Sequence, residues 1–346
     1  MTAPAKTDRQ PDTVKPGSAG KVGVLLVNLG TPEGTDYWPM RRYLSEFLSD
    51  RRVIEWPRIV WYPILQGIVL SRRPKASGAL YAKIWNRERN ESPLRTFTRA
   101  QGEKLAAALS DHSNVIVDWA MRYGIPSIET VTKRLMDRGC DRILLFPLYP
   151  QYSATTTATV NDTFFQALMK MRFQPAVRTV PAYPAEPVYI EALAASVERH
   201  LAGLDFEPEV VIASYHGIPK SYSQRGDPYY EQCLTTSRLL AERLGWDGKK
   251  LLTTFQSRFG PEEWLQPYTD ETVARLAREG VKSIAVLNPG FVSDCLETLE
   301  EIAVEAARIF HEEGGENFSH IPCLNDSEEG MRVIESLVRR ELSGWL

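Results

Sequence analysis

The sequence has little of what would place it in the commonest specialised classes. Its 346 residues include four cysteines, Cys140, Cys233, Cys295 and Cys323, far apart and without a CxxC, so neither a disulfide framework nor a zinc ribbon is written in it and a reducing compartment fits best. Neither charge is in excess. The 41 Lys+Arg and 44 Asp+Glu leave a formal net charge of -3, too balanced for a protein that binds nucleic acid by displacing counterions. No GxxxxGK[ST] and no GxGxxG follows a strand-like run, which removes the two commonest nucleotide fingerprints and favours a nucleotide-independent reaction. Nor does any apolar run reach the roughly 20 residues needed to cross a bilayer. The nearest, Val53 to Leu70, contains Glu55, Arg58, two prolines and a glycine and is followed by Arg72 and Arg73. It can lie on something apolar but cannot span. The first twenty residues lack the apolar centre of a signal peptide and read as a disordered tail.

What remains is an ordinary globular composition, 43% hydrophobic and 25% charged, over a length that suggests about two domains. Short β-branched runs alternate with helix-length amphipathic segments, the pattern of parallel strands joined by helical crossovers, so the fold class is α/β. Strands are expected at Val22 to Asn28, Val115 to Trp119, Arg142 to Phe146, Val210 to Ser214, Leu251 to Phe255 and Ser283 to Leu287. Ser92-Pro93 supplies a cap and first-turn proline for a helix to about Leu109, and Asp270 is expected to cap another reaching Arg278. The halves also echo one another. Arg122-Tyr123-Gly124, an ETV-containing helix, Gly139 and a strand return as Arg258-Phe259-Gly260, a second ETV helix, Gly280 and a strand. Shared helix and strand grammar could also produce so short a match. The reading adopted is two copies of one doubly wound unit, meeting near Arg172 to Pro187.

In open parallel sheets, ligands bind beyond the carboxyl ends of the strands. Of five histidines, only His216 is delivered there by a buried strand, in Ser214-Tyr215-His216-Gly217-Ile218-Pro219. A lone histidine is often structural, but Gly217 and Pro219 make a sharp turn that permits close approach to the imidazole. After the last expected strand, Glu297, Glu301 and Glu305 recur every four residues and on a helix would share one face. That spacing also describes a solvated acidic surface. Because the row begins directly after a strand, Glu297 is expected to face the same crevice as His216, an arrangement suited to moving cations or protons.

Five motifs, SYHGIPKSYSQRGDPYY, GFVSDCLETLEEI, FQSRFGPEEWL, LYPQYSATT and VNLGTPE, resemble the ferrochelatase family, which inserts ferrous iron into a porphyrin as the last step of haem synthesis. The resemblance runs from about Gly23 to the final helix. It implies two similar Rossmann-like domains, each a parallel sheet flanked by helices, with a porphyrin cleft between them: 21-172 including an apolar lip at 53-72, 173-324, and a terminal helix at 325-346 packing back on the body. It further implies that His216 is the cleft histidine and Glu297 its partner, both accepting protons or binding the metal. Glu301, Glu305 and Asp294 would form an acidic path, and Cys295 stands where many eukaryotic members have a second histidine. Arg73, Tyr81 and Ser92 would hold propionates, with Arg72 an alternative to Arg73 because loop lengths differ nearby. Leu29, Arg122, Tyr123 and Trp264 would form the cleft wall.

By the same resemblance the substrates are protoporphyrin IX and ferrous iron, with no permanently bound cofactor, no [2Fe-2S] cluster, no transmembrane anchor and no nucleic-acid partner. The expected protein is cytoplasmic, a monomer or weak dimer, with a lip able to touch the inner membrane peripherally. A coproporphyrin-using enzyme, a cobalt chelatase acting on sirohydrochlorin and a non-catalytic tetrapyrrole carrier are the alternatives. A carrier would need no acidic row, and sirohydrochlorin's eight carboxylates would call for many more basic residues.

Overall fold

The computed structural model describes residues 20–346, so the expected N-terminal tail lies, except for Gly20, outside the described residues. Eight parallel strands form two four-stranded sheets. The first contains β1 (Lys21–Gly30), β2 (Val115–Tyr123), β3 (Cys140–Pro147) and β4 (Ala176–Thr179), and the second β5 (Val210–His216), β6 (Leu251–Gln256), β7 (Ser283–Leu287) and β8 (Asn317–Ile321). Their orders, β2-β1-β3-β4 and β6-β5-β7-β8, are the same. The central strands read as unbroken apolar runs because helices cover both of their faces: Val24, Leu25, Leu26 and Val27 of β1 are fully buried, as are Val211, Ile212 and Ala213 of β5.

The six expected strands are all present, most of them longer than the sequence suggested. Two of the four edge strands, AVRT and NFSHI, went unread because each is short and carries polar residues among few apolar ones. His320 lies in β8, and β4 carries the first sheet past residue 172. Ser92 caps Pro93–Ala108 by accepting the Arg95 amide at 3.3 Å. Asp270 does not cap its helix. That helix, Thr269–Arg278, begins two residues earlier with Tyr268 at its N-cap, while Asp270 accepts a hydrogen bond from Arg258 at 3.0 Å.

The duplication extends to irregular features. Met121 bridges to Ser127 beyond β2, as Phe255 bridges to Tyr268 beyond β6. The helix after β3 opens with π-type winding at Ala154–Ala158, and the helix after β7 does so at Glu297–Ala306. Helices Pro93–Ala108, Pro187–Ala202, Tyr229–Leu244 and Glu328–Glu341 contribute to one apolar core that also takes Val24 and Leu26 from the first sheet and Val211 and Ala213 from the second. The last helix buries Val333, Ile334, Leu337 and Val338 there, and Arg339 donates to the Ala108 carbonyl at 2.7 Å.

The apolar stretch seen in the sequence folds as Arg58–Ile64, a π turn Leu65–Val69 and Leu70–Ile84. Trp61, Leu65 and Leu70 turn inward against Met40, Tyr43 and Leu44. Ile59, 86% exposed, and Trp56, Val60, Tyr62 and Ile68 turn outward. Helical winding thus divides one hydrophobic run into a buried and an exposed face. Arg72 and Arg73 belong to a continuous helix, so no loop separates Lys75 from Tyr81.

Candidate active site

A cavity of about 690 Å³ opens at the carboxyl ends of the central strands of both sheets. Leu29 comes from the end of β1, Tyr149 and Gln151 from the turn after β3, His216 from the end of β5, and Glu297, Glu300 and Glu301 from the π segment after β7. The lip helices close another side through Trp61, Ile64, Arg73 and Tyr81. Both halves therefore supply their ligand-binding edge to one site.

His216 is partly buried, its ring lying 6.5 Å from Trp264 and 6.4 Å from Phe291 between centroids. Its Nδ1 is 2.6 Å from the Gly217 carbonyl, which can only accept, so Nδ1 is the donor there and Nε2 is the nitrogen left to meet a ligand. Gly217 is required by its surroundings: a Cβ there would lie 2.9 Å from the Gln256 carbonyl and 3.1 Å from the Trp264 ring. Its missing side chain admits protein, and the result is a fixed imidazole.

The acidic row lies in the π-wound segment Glu297–Ala306, and only part of it reaches the cavity. Glu297 and Glu301 line the cavity, but Glu305 lies outside it, paired with Arg308 at 2.9 Å. Glu301 accepts the Ser257 amide at 2.7 Å and the Ser257 hydroxyl, and burial raises its pKa, although those bonds and the nearby His216 oppose the rise. Asp294 is also absent from the cavity wall. It is 3% exposed and accepts from Thr298 at 2.8 Å and Asn325 at 2.6 Å, tying the π segment to the chain before the last helix.

Arg73 lines the cavity and forms no ion pair among the described residues. Its guanidinium lies 4.8 Å above the Phe259 ring, and burial lowers its pKa. Arg72 is exposed on the same helix. Tyr81 and Tyr43 meet edge to face at 6.4 Å, and burial pushes both hydroxyls far above the ordinary tyrosine range. Leu29, Ser92 and Trp264 also reach the cavity. Arg122 and Tyr123 do not. Arg122 pairs with Asp50 and donates to the Thr159 hydroxyl at 2.7 Å, while the buried Tyr123 hydroxyl donates to Asp50 at 2.9 Å. These groups neutralise a buried carboxylate beneath a neighbouring surface depression.

The sequence reading missed Glu300, Tyr43, Tyr149 and Arg258 as wall residues. Glu300 stands three residues after Glu297, close enough on any helix to share its side, and Tyr149 lies in the turn already singled out after β3. Tyr149 presents a buried hydroxyl with no hydrogen-bond partner. Nothing in the local pattern marked Tyr43, which arrives on a separate helix, Tyr37–Leu48.

Chains of similar architecture are found among solved structures. SirB from Bacillus subtilis with Fe3+ matches with TM-score 0.55 at 13% identity, covering 94% of this chain and 97% of that one. CbiX, the terminal enzyme for biosynthesis of sirohaem in denitrifying bacteria, matches with TM-score 0.50 at 15% identity, covering 92% and 98%. The architecture is the two-domain chelatase fold. At the level of sequence, the ferrochelatase profile matches residues 21–342, and the ferrochelatase of Chelativorans sp. strain BNC1 is 82% identical over 94% of this chain and 93% of its own. That of Brucella anthropi is 76% identical over the same shares. The chain belongs to the ferrochelatase family.

Proposed function

We propose that this protein inserts ferrous iron into protoporphyrin IX to give protohaem, the last step of haem synthesis, without ATP. The observation that carries the reading is the convergence of His216 and Glu297 in one largely apolar cavity whose wall holds few cations, Arg73 and Arg258. Arg258 is already engaged by Glu271 at 2.7 Å and Asp270 at 3.0 Å. That supply suits a flat apolar ring with two carboxylates better than one with four or eight.

In this reading Arg73 meets a propionate, helped by the hydroxyls of Tyr81 and Ser92. Burial keeps Tyr81 protonated and hence a donor. Trp264, Leu29 and Phe291 hold the ring faces. Metal insertion requires two pyrrole N–H protons to leave as iron arrives. The Nε2 lone pair of His216 and the Glu297 carboxylate are the groups that accept those protons or ligate the iron, and each lone pair serves one purpose at a time. Glu301, beside His216, extends the acidic side of the cavity.

Iron is a substrate here, and the reading includes no [2Fe-2S] cluster: Cys140 and Cys233 are packed in cores distinct from each other, and Cys295 lines the cavity. Among the described residues no helix is long and apolar enough to cross a membrane. The outward Trp56, Ile59, Val60, Tyr62 and Ile68 suit peripheral contact of a cytoplasmic monomer or weak dimer with the inner membrane, where an apolar porphyrin would enter. Anaerobic insertion of ferrous iron into protoporphyrin and coproporphyrin, compared side by side, tests the assignment. Preference for protoporphyrin is expected. Equal or better use of coproporphyrin would remove the substrate assignment, and no insertion into either would remove the function.

A further inference from the structure

Glu300, which lines the cavity, and Lys83, which does not, form an ion pair, Nζ to Oε1 at 2.8 Å, and neither is part of the machinery assigned above. The two ends of the pair face different surroundings. Glu300 lines the cavity and its side chain is 13% exposed, whereas that of Lys83, in the last turn of Leu70–Ile84, is 54% exposed. The ammonium also acts on Glu305, whose pKa is lowered chiefly by its hydrogen bonds from Arg308, with Lys83 a lesser contributor. Glu300 and Glu305 both belong to the π segment Glu297–Ala306, and the one ammonium acts on both carboxylates. Lys83 thus stands on the acidic side of the segment, between the solvent-facing Glu305 and the cavity-facing Glu300. Glu297 and Glu301 line the same cavity as Glu300.

We propose that Lys83 is a cation gate and specificity-determining residue: its ammonium occupies Glu300 until a hydrated divalent cation displaces it on the way to Glu297 and His216. The physical basis is ion exchange. A monovalent ammonium on a flexible stem holds a partly buried carboxylate weakly, and a doubly charged ion competes for it while a monovalent one gains little. Lys83 screens the acidic row in the resting state and can swing into solvent, because its stem is the more exposed end of the pair. No bond is made or broken, and the carboxylate exchanges one counterion for another.

This inference rests on the iron-inserting reading of the cavity, and the test separates the two. Steady-state insertion is measured anaerobically with the full chain, varying ferrous iron at saturating porphyrin, for wild type, Lys83→Met, Lys83→Arg and Glu300→Gln. The gate requires the two partners to act in opposite directions. Lys83→Met should lower the KM for iron by about threefold or more, by exposing a carboxylate. Glu300→Gln should raise it by a similar factor, Lys83→Arg should stay near wild type, and the porphyrin KM should not follow. Added salt should raise the iron KM more steeply in Lys83→Met than in wild type, since an uncovered negative site is the one that salt screens. Lys75→Met, the same change of charge about 12 Å along the helix, is the control and should leave the iron KM unchanged.

If the pair only ties two elements together, Lys83→Met and Glu300→Gln will change the iron KM in the same direction, or change only the melting temperature. Either result overturns the gate. A wild-type protein that inserts no iron would overturn the reading of the cavity instead.

Discussion

Ser257 holds Glu301 from two sides, with its amide 2.7 Å from Oε1 and its hydroxyl on Oε2. It does so from a left-handed backbone, φ 65°, that a residue with a side chain seldom adopts. The adjacent Gln256 donates to the Glu297 carbonyl at 2.7 Å and accepts from Asn288 at 2.8 Å and Ser214 at 2.7 Å. The ends of β5, β6 and β7 and the start of the π segment are therefore fastened together behind the acidic wall. Glu301 is less a free carboxylate than part of this fastening.

That arrangement has a pH signature. Burial holds the Glu301 pKa above the ordinary value of 4.5, so the folded protein binds its proton more tightly than the unfolded chain does. The corresponding stability is present below that ordinary value and is lost as pH rises through the folded value. Melting temperatures of wild type and Glu301→Gln across that interval should show the variant gaining relative to wild type as pH rises. Parallel curves would show that the carboxyl titrates alike in both states.

Activity should fall off steeply with distance along the wall. His216→Ala should abolish insertion while leaving the fold and porphyrin binding intact, and Glu297→Gln should nearly stop turnover. Glu305→Gln should cost little, because that side chain is outside the cavity with Arg308. Absorbance-monitored kcat values alongside thermal melts decide this. Retention by His216→Ala of more than about a tenth of the wild-type rate, some 1.4 kcal/mol in barrier, would defeat its assignment.

Propionate grip predicts a different pattern. Arg73→Ala should raise the porphyrin KM more than it lowers kcat, since the contact exists in ground and transition states alike. Arg72→Ala, on the exposed side of the same helix, should alter neither. An effect at Arg72 as large as that at Arg73 would place the carboxylate elsewhere.

For Arg122 the expected loss is in stability. Burial works to raise the Asp50 pKa but is outweighed by the Thr159 hydroxyl, the Arg52 amide, Arg122 and Tyr123, leaving it below the usual range. Removing Arg122 strands a carboxylate whose side chain is 8% exposed, at a cost of about 3 kcal/mol. Denaturant unfolding of Arg122→Ala reads this directly. Asp50 also contributes stability that is lost as pH falls through its depressed folded value, so Asp50→Asn should flatten the acid limb of the stability curve.

The central strands were legible because burial on both faces leaves an unmistakable run such as VGVLLV, and His216 because such a run delivered it to an edge. Of the four edge strands, β2 and β6 were read, whereas β4 and β8 were not, since both are short and carry few apolar residues. Within the site, residues close in sequence to a strand end were readable. Tyr43 and the Lys83–Glu300 pair were not, because they depend on how the lip helices fold over the cavity. Glu305 was misplaced because spacing says which residues can share a face but not how far along it a cavity reaches, and Arg308 holds that carboxylate outside. Arg122 and Tyr123 stand at the end of a strand, as expected, but serve an acidic group 72 and 73 residues away in sequence.

The paired π turns bear on how the two halves differ. Both open the helix after the third strand of their sheet, and both reach the cavity, one through Thr155 and Thr156, the other through Glu297, Glu300 and Glu301. An assembly of two identical half-chains would have to present the same side chains from both turns, so any change suited to the metal would be imposed on the ring-holding side as well. Joining the halves in one chain frees the turns to diverge. One has become a neutral hydroxyl surface and the other an anionic one, giving the cavity a polarity that two copies of either half could not supply.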